Sequence, residues 1–264
     1  MFDERDHFAL SHPPSAPSGH LPPHAGEGSG THEQPAVVAE ALTKRYGPVV
    51  ALQDLSLQIR RGEVFGLLGP NGSGKTTFIR MLAGYLAPTR GRLSVSGLDT
   101  VRDALPARRR LGYVPEAAPL YGHMRVREFL EFMGRLRGLA PRELAAAVDR
   151  VVERLALGDV QRKPTRALSR GYRQRVAIAQ ALIHEPEVIV LDEPTNGLDP
   201  RQIIEVRELV RSLGGTHTVI MSSHILTEVA KTADRVAILL GGRLLGVRSV
   251  ADTPDLEDWF LSLT

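Results

Sequence analysis

The stretch Val64-Phe65-Gly66-Leu67-Leu68-Gly69-Pro70-Asn71-Gly72-Ser73-Gly74-Lys75-Thr76-Thr77 runs from an apolar segment into a glycine-rich loop that ends on a lysine and two threonines. Gly69–Thr76 fits the pattern G-x-x-x-x-G-K-[ST], and it lies where that pattern has meaning, after a short strand and before a helix. Its glycines allow backbone N–H groups to curl around phosphate oxygens, and the positive end of the helix dipole favours the same anion. The pattern assigns Lys75 to the β- and γ-phosphates and the Thr76 hydroxyl to Mg²⁺. Alone, it reads as nucleotide phosphate and no further.

A second element narrows the chemistry. Val188-Ile189-Val190-Leu191-Asp192-Glu193 reads as a buried strand that delivers two adjacent acids at its end. Carboxylates in such a place are costly unless a cation compensates them. Asp192 is therefore the candidate Mg²⁺ ligand, and Glu193 the candidate general base for an attacking water. A guanine-reading Asn/Thr-Lys-x-Asp element is absent from the sequence, which argues against a GTPase.

Around these two elements the chain alternates in period. Strands are expected over Ala36–Leu42, Leu52–Ile59, Val64–Leu68 and Arg92–Val95, with a helix over Lys75–Leu86. Between about Glu116 and Ile183 the pattern turns helical, with apolar residues three and four apart over Val126–Leu139 and Arg142–Leu155. Strands at Val188–Leu191, Thr218–Ser222 and Arg235–Leu240 then alternate with helices at Arg201–Leu213 and Ile225–Thr232. Such alternation predicts an α/β fold with a largely parallel sheet wrapped by helices. A short terminal helix is expected over Asp255–Thr264.

Composition bounds the rest. The 264 residues are 42% hydrophobic and 24% charged, ordinary for a globular core, and include no cysteine, which excludes disulfides and thiolate sites. No segment approaches 18 consecutive apolar residues, so none is expected to span a bilayer. The N-terminus is acidic and lacks the apolar stretch of a secretory signal. Residues 1–35 are rich in Pro, Gly, Ser and His and are expected to be a disordered tail. Five acids against Arg5 give this segment −4, leaving about +7 on the body of a chain whose formal net charge is +3. The basic clusters at Arg108–Arg110 and at Arg125, Arg127, Arg135 and Arg137 read as solvated faces, with anionic lipid or a partner as the sharper alternative.

Leu168-Ser169-Arg170-Gly171-Tyr172-Arg173-Gln174-Arg175 is the discriminating stretch; Arg175 lies 17 residues before Asp192. It resembles the LSGGQ signature of ABC ATPases. Its ordered companions strengthen the resemblance: Tyr46 ahead of the phosphate loop, Asn196-Gly197-Leu198-Asp199 like the D-loop, and Ser222-Ser223-His224 like the switch histidine. Together they cover nearly everything from about residue 37 to 264. The resemblance implies a P-loop NTPase core with a mostly parallel sheet, a small antiparallel β portion and a helical insert at about 116–183. It further implies an ATPase that dimerises head to tail, as a homodimer or with a like subunit. Each ATP would meet Tyr46 and Gly69–Thr77 of one chain, and Ser169, Arg170, Gly171 and Asp199 of the signature side. Lys75, Glu193 and His224 would be catalytic, and Thr76, Asp192 and Glu116 would face Mg²⁺.

Two departures stand out. Glu116 occupies the position where the family usually has Gln, and Arg170 and Tyr172 replace a Gly and a Gln of the signature. Arg170 is placed either to approach the partner's nucleotide or to project into solvent. Such features are similar to export-type members, closest to the gliding-motility-associated branch, with copper-processing and multidrug branches nearby. In these the membrane-spanning permease subunits are separate chains and the ATPase sits at the cytoplasmic face of the membrane. The rival class is a soluble ABC ATPase acting on DNA or ribosomes. The 94 residues between Lys75 and Ser169 leave no room for the long coiled coil of its chromosome-organising members, and no nucleic acid is expected as partner. The transported substrate is not written in the chain.

Overall fold

A computed structural model describes residues 34–253 and 255–263; the expected N-terminal tail and the last residue of the expected terminal helix lie outside the described residues. The sequence periods translate into two sheets. β1 (Val37–Tyr46), β2 (Val49–Ile59), β4 (Arg90–Val95) and β5 (Leu98–Asp99) form an antiparallel sheet in the order β2-β1-β4-β5. The larger sheet has the order β10-β9-β3-β8-β7-β6, built from β3 (Val64–Leu68), β6 (Leu111–Val114), β7 (Val188–Leu191), β8 (Thr218–Ser223), β9 (Arg235–Leu240) and β10 (Arg243–Ser249). Its strands pair in parallel except for β10 on β9.

Successive side chains of this sheet bury on opposite faces, as strand geometry requires. Val64, Leu68, Ile189, Leu191, Val219 and Met221 pack with the helices α3 (Val126–Leu136), α4 (Pro141–Arg154), α5 (Arg170–Leu182) and α6 (Pro200–Leu213). Phe65, Leu67, Val188, Val190 and Ile220 point the other way, into a second core shared with α1 (Lys75–Leu82) and the antiparallel sheet. Both faces are covered, which is why the central strands read as unbroken apolar runs rather than as alternation.

Three strands escape the sequence pattern, the two-residue β5 among them. β6 is only four residues, Leu-Gly-Tyr-Val, and β10 is interrupted by Gly246. α1 stops four residues earlier than its apolar period suggests, because Gly84 follows the cap in a left-handed conformation (φ 73°). The insert begins as loop, and helix starts only at Val126. Short α2 (Ala104–Arg109) and α7 (Leu226–Ala230) precede β6 and β9, and α8 (Leu256–Leu263) packs Trp259 on the sheet side.

The basic clusters are in large part solvated, with Arg108, Arg109, Arg110 and Arg125 exposed, but Arg127 and Arg137 are half-buried and engaged. Arg127 pairs with Asp149 at 2.7 Å and with Glu131. Arg137 is drawn inward to donate to the carbonyls of Arg108 and Leu111, and burial lowers its pKa. The two clusters thus meet by knitting α3 to the end of α2. Arg135 is exposed.

Candidate functional site: a phosphate loop beside paired acids

The loop between β3 and α1 is a tight cradle. Gly74 caps α1 with φ 106°, and a Cβ there would lie 2.8 Å from the Ala51 carbonyl oxygen, so only glycine fits. The first N–H groups of α1 have no intrahelical partners and converge on the cradle. Lys75 is 5% exposed; its ammonium donates to the carbonyls of Gly69 (2.7 Å) and Pro70 (3.2 Å). The Ser73 hydroxyl is buried with no hydrogen-bond partner among the described residues.

The ends of β7 and β8 bring the acids to the same place. Ser222 binds both of them, donating its hydroxyl to Asp192 Oδ1 (2.7 Å) and accepting from the Glu193 N–H (2.9 Å). Desolvation raises the Asp192 pKa, opposed by the Ser222 hydrogen bond and reinforced by the nearby Glu193 and Glu116 carboxylates. Glu193 sits at φ 49°, an unfavourable conformation for a residue with a side chain, and one that recurs where geometry serves chemistry. Its Oε2 accepts from His224 Nδ1 at 2.9 Å, and its Oε1 lies 3.6 Å from the Lys75 ammonium. Lysine, glutamate and histidine therefore form one contiguous line.

A cleft of about 180 Å³ opens onto these groups, lined by Asn71, Lys75, Thr76, Glu116, Glu193 and His224 among others. Thr77 and Gly72 also border it. Glu116 is held by the Asn196 side-chain amide, which donates to its Oε1 at 2.7 Å. Thr76, Asp192 and Glu116 are donors suited to Mg²⁺, which commonly takes one or two carboxylates, a hydroxyl and phosphate oxygens rather than a full protein cage. Among the described residues no three His, Cys, Asp or Glu gather into a metal cluster. Together with the unpartnered Ser73 hydroxyl, the residues present fit a magnesium-bound phosphate.

Not every sequence candidate lines this cleft. Ser169, Arg170 and Gly171 start α5, with the Ser169 hydroxyl accepting from the Tyr172 N–H, and none of the three is part of it. Asp199 caps α6, its Oδ1 accepting from the N–H groups of Arg201 and Gln202. Tyr46 is 46% exposed at the β1–β2 hairpin, its ring 5.3 Å from the Lys44 ammonium. Sequence reasoning gave no role to Asn196 and no partner to Ser222. Both lie inside assigned stretches, Asn196 in the D-loop-like run and Ser222 in the switch-like run, but their contacts depend on long-range folding.

A phosphate loop heading a helix, with two acids and a histidine at the tips of neighbouring parallel strands, defines a phosphate-loop nucleotide hydrolase. The sequence pattern of the ABC transporter family matches residues 52–196, and the chain belongs to that family as an ATP-binding subunit with ATPase chemistry. The chain is 45% identical over 211 residues to the daunorubicin resistance ATP-binding protein DrrA3 of Streptomyces coeruleorubidus, covering 80% of this chain and 67% of that one. It is 39% identical to the bacitracin transport ATP-binding protein BcrA of Bacillus licheniformis, covering 77% of this chain and 66% of that protein. With the ABC transporter ATP-binding protein NatA of Bacillus subtilis the identity is 40%, over 75% of this chain and 81% of the relative. Among solved structures, cbiO1 from Clostridium perfringens, part of the ABC transporter complex cbiONQ, superposes with a TM-score of 0.79 at 28% identity, covering 87% of this chain and 94% of that one. The names of DrrA3 and BcrA, daunorubicin resistance and bacitracin transport, fall among the export-type systems that the sequence resembles.

Proposed function

We propose that the chain hydrolyses Mg-ATP in a cleft that a second ATPase chain completes, and that closure and reopening of this dimer drive export through separate membrane-spanning subunits. The observation that carries the reading is the division of the motifs. The cleft gathers the phosphate loop, Glu116, Glu193 and His224, whereas Ser169 and Gly171 lie outside it. At about 180 Å³ it is also smaller than the ~300–1000 Å³ of sites that enclose a ligand. A head-to-tail partner would bring the Ser169 end of α5, with its free N–H groups, to the remaining side of the nucleotide.

The geometry supports the following roles. Lys75 exchanges its loop carbonyls for the β- and γ-phosphates. Thr76, Asp192 and Glu116 would hold Mg²⁺, which would supply neutralisation of the phosphate charge. Glu193 takes a proton from water as the water oxygen bonds to the γ-phosphorus; the bond to the bridging oxygen breaks, and ADP leaves with that electron pair. His224, anchored on Glu193, orients the water from the same side. Positioning and charge neutralisation supply most of what phosphoryl transfer needs. Tyr46 offers an exposed ring for adenine, and Asp199 sits at the cap where the partner would approach.

Among the described residues no helix is long and apolar enough to cross a membrane, which supports a peripheral ATPase served by separate permease chains at the cytoplasmic face. The apolar groove lined by Tyr113, Pro115, Leu120, Phe129 and Met133 is the proposed contact for them. Crosslinking from Leu120 should capture the permease; capture only from the opposite face would move the contact. The relatives are transporter subunits, so nothing favours the DNA or ribosome alternative. ATP turnover of the full chain with its permease tests the catalytic reading. Glu193→Gln should lower kcat by about 10²–10⁴-fold, the usual contribution of a general base. A wild-type rate no higher than that of the variant would sink the assignment.

A further inference from the structure

The sequence leaves Arg170 with two destinations, the partner's nucleotide or solvent; in the folded chain it is exposed, and its guanidinium is tied to a turn of its own chain. Its guanidinium donates from Nη2 to the Asn196 carbonyl at 2.8 Å and lies flat over the Asn196–Gly197 turn. Gly197 has φ 67°, and a Cβ there would lie 2.3 Å from the guanidinium atoms. The turn favours glycine because its backbone lies in the left-handed region, and a Cβ there would push aside the end of the arginine side chain.

Asn196 continues the line. Its carbonyl is taken by Arg170, and its side-chain amide donates to Glu116 Oε1 at 2.7 Å. Glu116 and Asn196 border both the 180 Å³ nucleotide cleft and a larger cavity of about 560 Å³ that Arg170 also lines. They form the wall between the two spaces, with arginine on one side and the phosphate loop on the other. The charges are also matched. An acid at position 116 adds negative charge beside a triphosphate and beside Asp192, whose pKa Glu116 helps to raise. Arg170 brings a compensating cation to the far side of the same wall.

We infer that Arg170 is a positioning residue for Glu116 of its own chain, acting through the Asn196–Gly197 turn, and so ties the start of the signature helix to the nucleotide cleft in cis. With Oε1 held by Asn196, Glu116 keeps its second oxygen for the metal or water. Movement of the signature helix would shift that carboxylate without any contact between Arg170 and nucleotide. The inference rests on the proposal that Glu116 serves the cleft. Arg170, Asn196 and Gly197 are all exposed, so substitutions there do not open the core.

The test is a set of steady-state ATPase measurements on the full chain with its permease, comparing Arg170→Leu, Arg170→Lys, Asn196→Ala, Glu116→Ala and the double variant Arg170→Leu/Glu116→Ala. Arg170→Leu is expected to lower kcat about tenfold with the KM for ATP unchanged, a loss confined to the transition state. Asn196→Ala should match it, and Arg170→Lys should recover part of the rate because an ammonium can still donate to the Asn196 carbonyl. In the Glu116→Ala background Arg170→Leu should cost nothing further, the non-additivity expected of residues in one network. Equal losses in both backgrounds, or a raised KM with kcat unchanged, would overturn the inference by showing that Arg170 acts independently of Glu116. Wild-type turnover at Glu116→Ala would overturn it as well. A wild-type rate no higher than that of Glu193→Gln would instead bring down the catalytic reading beneath it.

Discussion

Asp192 carries the conflict between stability and function in its most concentrated form. It is 3% exposed, and desolvation pushes its pKa up against the pull of Ser222. A carboxyl whose folded pKa is raised binds its proton more tightly folded than unfolded, so its stability is greatest at low pH and is lost as pH rises through the folded value. At neutral pH the ionised group is a cost, one that the Mg²⁺ of the proposed function would offset. Asp192→Asn removes the charge and keeps an oxygen for the Ser222 hydroxyl. It should raise Tm by about 2–4 °C, the equivalent of about 1 kcal/mol in a domain of this size, while abolishing Mg-dependent turnover. Differential scanning calorimetry of the metal-free proteins checks the first half; a lowered Tm would mean that the ionised carboxylate is already well compensated. Glu116→Gln is the milder neighbour. Both side chains present an oxygen to Asn196 and to the cleft, so ATP affinity in equilibrium titration should stay within about threefold, under 1 kcal/mol. Loss of binding would assign the carboxylate charge itself to the nucleotide.

At the scale of elements, the join between α5 and the sheet holds a buried base. His184 follows α5, its Nε2 donating to the Leu111 carbonyl at 3.2 Å while Nδ1 is buried without a partner among the described residues. Burial, helped by Arg137, lowers its pKa to about 4. Between that value and the ordinary 6.5 the unfolded chain takes up a proton that the folded chain refuses, so stability falls as the solution is acidified through this window. The loss is at most on the order of 3 kcal/mol. Urea unfolding of His184→Phe between pH 7 and pH 4 should show a flatter profile than wild type, with Arg137 still serving the Leu111 carbonyl. An unchanged slope would place the acid sensitivity elsewhere. The same elements mark what sequence could deliver. Buried runs such as Val188–Leu191, and the glycines and lysine of the phosphate loop, were legible because their chemistry is local: strand period, turn conformation, helix start. β6 and β10 were not, since a four-residue run and a glycine-broken run become strands only through their neighbours. The Ser222 clamp and the Arg170–Asn196–Glu116 line were not legible either, because they join residues 26 to 80 positions apart.

At the scale of the molecule, the proposed function divides between two separate surfaces of the chain. One is the cleft of Lys75, Glu116, Glu193 and His224; the other is the Ser169 start of α5, outside that cleft. The fold gives each a rigid base, the first at the tips of parallel strands and the second at a helix cap. A dimer that joins the two surfaces head to tail should be held by ATP and released by its hydrolysis, since each nucleotide would then touch both chains. Blocking hydrolysis while leaving binding intact should trap it. The most direct measurement is the solution mass of Glu193→Gln by light scattering, with and without saturating Mg-ATP. A monomer without nucleotide that doubles its mass with Mg-ATP is the expected result, and a monomer in both conditions would contradict the shared site.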